Sequence, residues 1–355
     1  MKILVTGGSG FVGTNLIRHL LATTEHSVLN LDKLSYAANP RSLADLVAHP
    51  RYRFSQTDIT DVSTLRTHFA EFQPDWIIHL AAETHVDRSI DTPATFVQSN
   101  VCGTFALLEA TRTHFANLGS TARENFRLLH VSTDEVYGSL SPDATAVNTA
   151  QAYAPRSPYA ASKAAADHLA RAWAHTYGLP VIVSTCSNNY GPYQFPEKLI
   201  PLALMKALHG EPIPVYGTGE NRRDWLHVAD HVAALTAILH RGKIGETYHI
   251  GSGTELPNID LVRQLCALLD ELRPRSDGVS YAEQIRFVTD RPGHDLRYAL
   301  DTSQTRDALN WAPRYSLSDG LRQTLQWYLD NLAWWQPLLK HGDALRRLGT
   351  TIVPQ

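Results

Sequence analysis

The chain has 355 residues, of which 43% are hydrophobic and 19% are charged, as is typical of a folded protein with one large or two modest domains. Its formal net charge of -3 gives no general attraction to nucleic acid or to an anionic membrane, so we expect neither as a partner. No apolar run approaches a membrane span, and the start MKILVTGGSG lacks a signal peptide's longer apolar region, which predicts a cytoplasmic protein.

The cysteines and histidines give no sign of a metal site. Cys102, Cys186 and Cys266 lie far apart with no paired spacing, which argues against a disulfide framework and against a cysteine-based zinc site. The 17 histidines are scattered, and the His-Glu-x-x-His pattern does not occur. We therefore expect no bound metal.

Short apolar runs in the first half of the chain alternate with segments of helical periodicity. In GTNLIRHLLAT, for example, Leu16, Ile17, Leu20 and Leu21 lie on one stripe. Buried strands that alternate with helices are typical of an α/β fold with a parallel, doubly wound sheet of the Rossmann type. The predicted buried strands cover residues 2–7, 27–32, 51–58, 75–82, 126–134 and 180–188.

The composition changes after about residue 188, where Gly, Pro and aromatic residues become frequent. Loops of this kind suit a smaller α/β lobe that closes over the carboxyl edge of the sheet, where ligands bind in open α/β folds. We predict a dinucleotide-binding domain over residues 1–187 and a mainly substrate-binding lobe over residues 188–345. The chain is free to cross back between the two lobes.

The glycine-rich stretch VTGGSGFVG lies between the first predicted strand and the first helix. Gly7, Gly10 and Gly13 would allow a tight turn, close approach of a pyrophosphate and packing of the helix on the sheet. Asp32 ends the second strand, where a carboxylate binds ribose hydroxyls and repels a 2′-phosphate, which favours NAD over NADP. Asp58, after the third strand, suits either an adenine contact or an ordinary turn. The pattern resembles the short-chain dehydrogenase/reductase superfamily of the extended type.

A long helix is predicted where the sequence reads SPYAASKAAADHLARAWAHTYG. Ser157 is a suitable N-cap, Pro158 suits the first turn, and Gly178 suits the position after the end. Tyr159 and Lys163 are four residues apart and share one face. A neighbouring ammonium favours the phenolate, so we expect a lowered pKa for Tyr159, which could then take a proton from a substrate alcohol.

Two adjacent carboxyl groups follow the fifth predicted strand, in the stretch STDEVYG. Alcohol oxidation needs a hydroxyl such as that of Thr133, but it does not need an acid beside a base. Asp134 and Glu135 could serve an elimination, in which one removes the proton next to a new ketone and the other protonates the leaving hydroxyl. They could equally belong to a solvated loop or a helix cap.

Several further stretches together resemble the nucleotide-sugar 4,6-dehydratase family over nearly the whole chain. They read STDEVYG, SPYAASKAAADHL, CSNNYGPYQFPEKLIPL, RRDWLHV and DRPGHD. The resemblance implies C4 oxidation of a nucleotide-linked glucose, elimination of water across C5 and C6, and return of the hydride to C6 with NAD regenerated. It implies that Thr133 binds substrate, Asp134 is the general acid and Glu135 the general base.

The resemblance also implies a set of binding residues. Those for NAD, in addition to the three glycines, Tyr159 and Lys163, are Phe11, Val12, Asp32, Lys33, Leu34, Ser35, Asp58, Ile59, Leu80, Ala81, Ala82, Glu83, Thr84, Ser99 and Asn189. Those for the nucleotide-sugar are Thr84, Thr133, Asn188, Lys198, Leu199, Pro214, Val215, Tyr216, Arg223, Asn258, Asp290, Arg291, Pro292, Gly293 and His294. Because the protein is net acidic, Lys198, Arg223 and Arg291 are candidates for holding a pyrophosphate, and Tyr216 could stack on a pyrimidine.

The loop before the catalytic helix departs from the family pattern, with Val147 and Thr149 at places where other residues are common. The resemblance further implies a homodimer whose interface includes residues 95–115 and 159–177. Trp334 and Trp335 suit a core or an interface.

Other functions stay open at this point. An epimerase or decarboxylase acting on a nucleotide-sugar would use the same scaffold, although Asp134 and Glu135 speak against it. A dinucleotide sensor without turnover would not need Tyr159 and Lys163. The closeness of the match favours dTDP-glucose as the substrate, while physical argument alone leaves UDP- and CDP-linked sugars open.

Overall fold

The computed structural model describes residues 1–339, whose β-strands form one large sheet and two small ones. The strands in chain order are β1 (Lys2–Thr6), β2 (Ser27–Asp32), β3 (Tyr52–Gln56), β4 (Trp76–His79), β5 (Arg127–Thr133), β6 (Val181–Cys186), β7 (Asn188–Tyr190), β8 (Ile213–Tyr216), β9 (Arg222–His227), β10 (Thr247–Ile250), β11 (Glu255–Pro257) and β12 (Ile285–Val288). The large sheet has the order β10-β6-β5-β4-β1-β2-β3, and all its neighbouring pairs are parallel. The order reverses between β1 and β4, which is where ligands bind in such sheets.

Helices cover both faces of the large sheet, which confirms the predicted doubly wound fold. The helices are α1 (Phe11–Thr23), α2 (Val62–Phe72), α3 (Val86–Asp91), α4 (Pro93–Phe96), α5 (Gly103–Ala116), α6 (Ser120–Asn125), α7 (Pro158–Tyr177), α8 (Leu199–Leu208), α9 (Val228–Arg241), α10 (Asn258–Leu272), α11 (Ser303–Leu309), α12 (Leu317–Asp330) and α13 (Leu332–Leu339). Leu16 of α1 and Leu235 of α9 belong to the core on one face, while Leu65 of α2 and Leu107 of α5 belong to the core on the other. Within residues 1–339, the helices are all too short or too polar to cross a membrane.

The third strand is not buried as the sequence predicted. Tyr52 is buried, but Arg53 is exposed and Phe54 is 43% exposed. The reason is its place in the sheet, because β3 pairs with β2 alone and forms the edge.

The second lobe has its own apolar core. It contains the three-stranded sheet β11-β9-β7, the pair β12-β8 and the inner faces of α8, α10 and α12. Trp334 and Trp335 are both buried there, which places them in the core, and the Trp334 indole donates to Ser42 Oγ at 2.9 Å. His227, which had no predicted role, caps α9 by accepting from the Ala229 N–H at 3.3 Å.

The chain returns to the large sheet beyond the predicted boundary, because β10 pairs with β6. The division into two domains at residue 187 stays a prediction. Residues 340–345 of the predicted second lobe lie outside the described residues.

The atypical loop before α7 packs on the chain near residue 300. Val147 is buried against Leu300, and Thr149 Oγ1 donates to Gln304 Oε1 at 3.3 Å.

Candidate active site

A cavity lies at the carboxyl ends of the central strands and gathers most of the predicted cofactor residues. Its wall also contains four predicted substrate residues, Thr84, Thr133, Asn188 and Lys198, together with Asp134 and Glu135. The predicted cofactor residues that line it are Gly7, Gly10, Phe11, Val12, Gly13, Asp32, Lys33, Ser35, Ile59, Leu80, Ala81, Ala82, Thr84, Ser99, Tyr159, Lys163 and Asn189. Motifs from distant parts of the chain thus meet in one place.

The glycine-rich turn before α1 leaves room for an anion. Gly7 has φ +72°, and a Cβ there would lie 2.6 Å from Ala81 N. A Cβ at Gly13 would lie 2.3 Å from Gly7 O, so the helix can pack this closely only with glycine. Gly10 is different, since its nearest neighbour would be 3.4 Å away, and no side chain caps the helix at this N-cap. The first N–H groups of α1 are therefore available to a pyrophosphate.

Asp32 lies at the end of β2 and is buried. Its two carboxylate oxygens accept from Ser9 N at 2.9 Å and from Leu34 N at 2.8 Å. Burial raises its pKa, and these two backbone donors oppose that rise. The position and chemistry suit a ribose acceptor on an NAD-type cofactor.

Three predicted cofactor residues do not line the cavity. Leu34 supports Asp32 through its backbone, in a left-handed conformation with φ 58°. Glu83 forms an ion pair with Lys33 at 3.1 Å. Asp58 is exposed and accepts from both the N–H and the hydroxyl of Thr60, each at 2.9 Å, as a turn residue does, and its contact with the cofactor stays a prediction.

The helix α7 carries Tyr159 and Lys163 into the cavity. Its ends are as predicted, with Ser157 Oγ accepting from Ala160 N at 3.0 Å and Gly178 in the left-handed region at φ 67°. Lys163 is buried and its ammonium donates to the Val131 carbonyl at 2.8 Å. The predicted lowering of the Tyr159 pKa is wrong for this structure, because burial and the Glu135 charge raise it and outweigh the hydrogen bond from Thr133.

The two adjacent carboxyl groups have different surroundings. Asp134 is buried, and its Oδ2 has no hydrogen-bond partner among the described residues. Burial and the neighbouring Glu135 raise the pKa of Asp134 well above its usual range. Burial also raises the pKa of Glu135, but the charges of Arg291, Arg223 and Lys198 oppose this. Asp134 is thus suited to hold a proton and Glu135 to receive one.

The three predicted phosphate-binding cations surround this part of the cavity. Lys198 donates to the Thr84 carbonyl at 2.8 Å. Arg223 is buried, donates to the carbonyls of Arg222, Leu296 and Asp295, and lies 4.3 Å from the Tyr298 ring centre. A carboxylate holds the third cation, since Arg291 Nη1 lies 3.0 Å from Asp87 Oδ1.

Asp87 also accepts from the Tyr216 hydroxyl at 2.9 Å, so it joins two predicted substrate residues from different elements. His294 lies beside Tyr216, with ring centres 6.2 Å apart, and bonds to Asp290 at 2.6 Å. The predicted substrate residues that do not line the cavity are Leu199, Pro214, Val215, Tyr216, Arg223, Asn258, Asp290, Arg291, Pro292, Gly293 and His294.

Sequence reasoning missed several residues of the site. Asp87 had a signal in the stretch THVDRSI, since it is an acidic residue close to the predicted contact Thr84. Glu197 precedes Lys198, lines the cavity and accepts from the Tyr36 hydroxyl at 2.9 Å. Cys186 also lines the cavity, and burial raises its pKa to about 12, so it is a neutral wall residue. Glu197 and Cys186 both lie within the stretch CSNNYGPYQFPEKLIPL that carries the family resemblance, but their residue types alone do not distinguish them from ordinary core residues.

Within the described part of the chain, no group of three or more His, Cys, Asp or Glu side chains is placed to hold a metal ion.

The fold, the glycine turn and the Tyr159/Lys163 pair define a dinucleotide-dependent enzyme of the extended short-chain dehydrogenase/reductase class.

Comparison with known proteins narrows that class. The family model described as GDP-mannose 4,6 dehydratase matches residues 4–324. The dTDP-glucose 4,6-dehydratase of Neisseria meningitidis serogroup B is 53% identical over 98% of this chain and 99% of its own length. That of Streptomyces venezuelae, solved with NAD bound, superposes with a TM-score of 0.86 at 44% identity, covering 95% of this chain and 100% of the other. The chain therefore belongs to the nucleotide-sugar 4,6-dehydratase family, as its motifs predicted.

Proposed function

We propose that this chain converts dTDP-glucose to dTDP-4-keto-6-deoxyglucose and water, with NAD as an internally recycled cofactor. The observation that carries the proposal is the placement of Asp134 and Glu135 in the same cavity as Tyr159 and Lys163. Relatives at about half identity over nearly the full length are dTDP-glucose 4,6-dehydratases, which supports the same reaction here.

The residues of the cavity fit NAD. The open turn at Gly10 suits the pyrophosphate, and Asp32 suits the ribose of the adenosine half. When bound, NAD supplies a reversible hydride acceptor, and this chain's side chains supply the proton transfers. We assign the contacts with the nicotinamide half to Tyr159, Lys163 and Asn189.

The oxidation at C4 needs a group that removes the hydroxyl proton. We assign that role to Tyr159, with Thr133 bonded to its phenol and the Lys163 ammonium on the same helix face. The Thr133 hydrogen bond favours the phenolate, and Lys163, one turn further along the helix, would add a positive charge; both oppose the rise in the Tyr159 pKa that burial and Glu135 cause. The C4 oxygen becomes a carbonyl, and its proton passes to Tyr159.

The elimination then uses the two carboxyl groups in opposite roles. A ketone at C4 makes the C5 proton acidic, and Glu135 removes it. Asp134 gives its proton to the C6 hydroxyl, which leaves as water. The cycle closes when C6 takes back the hydride removed from C4 and Glu135 returns a proton to C5. The cations near Glu135 keep it ionised before the step, while burial keeps Asp134 protonated.

The nucleotide end of the substrate belongs in the region around Asp87. We assign the pyrophosphate to Lys198, Arg223 and Arg291, since paired phosphates need local cations on a net-acidic protein. The hydroxyl of Tyr216 is bonded to Asp87, which orients the ring for contact with the base.

We further propose a cytoplasmic homodimer. Its interface would include the apolar side chains that α5, α7 and the π-helical stretch Val97–Cys102 expose, because Val97 is 51% exposed, Phe105 46% and Tyr177 47%. The three free cysteines suit a reducing compartment.

The experiment that tests the function is incubation of purified protein, without added NAD, with dTDP-, UDP- or CDP-glucose, followed by mass spectrometry. A product lighter by one water, formed fastest from the dTDP sugar, supports the proposal. An unchanged mass with a C4 epimer in the chromatogram would instead identify an epimerase.

A further inference from the structure

The catalytic helix carries a row of charged and polar side chains that extends beyond the two residues of the proposed mechanism. Tyr159, Lys163, Asp167 and Arg171 are each four residues apart on α7 and therefore share one face. Tyr159 and Lys163 already have proposed roles. Asp167 lies one turn further along and does not line the cavity, so the mechanism leaves it without a role.

Asp167 is fully buried, and the side chains that donate hydrogen bonds to it carry no charge of their own. Its Oδ1 accepts from His130 Nε2 at 2.9 Å. Its Oδ2 accepts from Ser132 Oγ at 2.6 Å and from the Tyr153 hydroxyl at 2.9 Å. Burial and the Lys163 charge lower the pKa of His130, so this imidazole is neutral. Between residues 1 and 339, no Lys or Arg donates directly to Asp167.

The hydrogen bonds hold Asp167 in a fixed, ionised state. Although burial opposes it, the donors and the nearby charges lower the pKa of Asp167. A buried carboxylate without a cation in contact needs a counter-charge nearby, and Lys163 is one helical turn away. Arg171 supports the Asp167 charge indirectly. Its Nη2 donates at 2.8 Å to the Tyr153 hydroxyl, which in turn donates to Asp167.

Lys163, as a buried cation, needs a nearby negative charge in the same way. It is 5% exposed, and it donates a hydrogen bond to the Val131 carbonyl. The titratable groups that face it are Tyr159 and Asp167 on α7, His130 on β5, His79 on β4 and Cys186 on β6. Burial also lowers the pKa of His79 and raises that of Cys186, so both are neutral. Asp167 is the one carboxylate in this set.

We propose that Asp167 is a positioning residue for the catalytic helix, whose buried negative charge retains the Lys163 ammonium beside Tyr159. The same carboxylate ties α7 to β5 through His130 and Ser132, which lie two residues apart on one face of that strand. Val131, whose carbonyl accepts the hydrogen bond from Lys163, lies between His130 and Ser132 on β5. This inference rests on the proposed roles of Tyr159 and Lys163.

The first test is the pH dependence of dehydration by the holoenzyme carrying Asp167→Asn. Burial lowers the pKa of Lys163 and Asp167 raises it, so removing this charge lets Lys163 lose its proton at a lower pH. We expect the alkaline limb of kcat to move to lower pH and kcat to fall about 100-fold. The KM for dTDP-glucose should stay unchanged, because Asp167 does not touch the substrate cavity.

The matched control is Tyr153→Phe, which removes one hydrogen bond to Asp167 but keeps the charges of Asp167 and Lys163. Its alkaline limb should stay at the wild-type pH. A wild-type limb in Asp167→Asn, or an equal shift in Tyr153→Phe, would overturn the proposal.

The second test needs no activity. In Lys163→Met, the Asp167 charge is buried without its counter-charge, so the thermal unfolding temperature should fall. Adding Asp167→Asn to that variant should restore part of the loss. A double variant no more stable than Lys163→Met would contradict the pairing. Failure of wild-type protein to dehydrate dTDP-glucose, with this rescue intact, would locate the error in the proposed function instead.

Discussion

At the scale of single residues, the division of labour between Asp134 and Glu135 follows from their neighbours. Both are carboxyl groups at the end of β5, and burial raises the pKa of each. Arg291, Arg223 and Lys198 oppose the rise in the Glu135 pKa, whereas the charges of Glu135 and Asp224 add to the rise in the Asp134 pKa and Arg223 opposes it. Two like groups thereby acquire opposite proton-transfer roles.

Replacing Glu135 with Gln should separate the two halves of the reaction. The base for C5 is lost, while Tyr159 and Lys163 remain, so elimination should slow by about 100-fold or more and C4 oxidation should persist. Stopped-flow absorbance of the reduced nicotinamide, combined with product analysis, measures both halves. If both fall equally in a folded, NAD-loaded variant, Glu135 is not the base.

The cations around Glu135 predict the acid limb of the pH profile. Because the pKa of Glu135 is raised, its ionised form is lost as pH falls at a higher pH than for an ordinary carboxyl group. Arg291→Gln removes the largest opposing charge, so the acid limb of kcat at saturating substrate should move to still higher pH. Arg286→Gln, an exposed change on β12, is the control and should leave the limb in place. A limb that moves to lower pH in Arg291→Gln would contradict the electrostatic account.

At the scale of elements, the glycine turn before α1 serves both packing and binding, and its glycines are not equivalent. A Cβ at Gly13 would collide with the backbone of Gly7 and Gly8 at 2.3 and 2.6 Å. A Cβ at Gly10 has 3.4 Å to its nearest neighbour, so the turn itself tolerates it.

Alanine substitutions should separate these two functions. Gly13→Ala should destabilise the fold by about 1–3 kcal/mol, as overpacking does. Gly10→Ala should unfold at nearly the wild-type temperature but retain less NAD through purification, because its methyl group enters the space proposed for the pyrophosphate. Thermal unfolding and NAD content check both. Full NAD content in Gly10→Ala would place the pyrophosphate elsewhere.

At the scale of the whole molecule, the sequence predicted the structure best where a single local rule determines a strand, a helix or a helix end. The alternation of apolar runs and helical periods predicted the parallel sheet, and Ser157 and Gly178 predicted the ends of α7. Burial of β3 was predicted wrongly, since its edge position depends on strand order, which local pattern does not contain. Asp87 was missed because its partners Tyr216 and Arg291 lie far away in the chain. The direction of the Tyr159 pKa depends on how deeply the folded protein buries it.

The proposed homodimer gives a second whole-molecule prediction. Phe105→Glu places a charge on the apolar face of α5 and should shift the mass measured by light scattering from dimer to monomer. Phe287→Glu changes a side chain that is 57% exposed on β12, away from that face, and should leave the dimer intact. A wild-type monomer, or a dimer that survives Phe105→Glu, would rule out this interface.

The most direct test of the central claim, an elimination inside a closed redox cycle, uses dTDP-glucose deuterated at C4. Turnover by the purified protein without added NAD should yield a keto product that carries the deuterium at C6, located by NMR. Loss of the deuterium to solvent, or its retention at C4, would contradict the account.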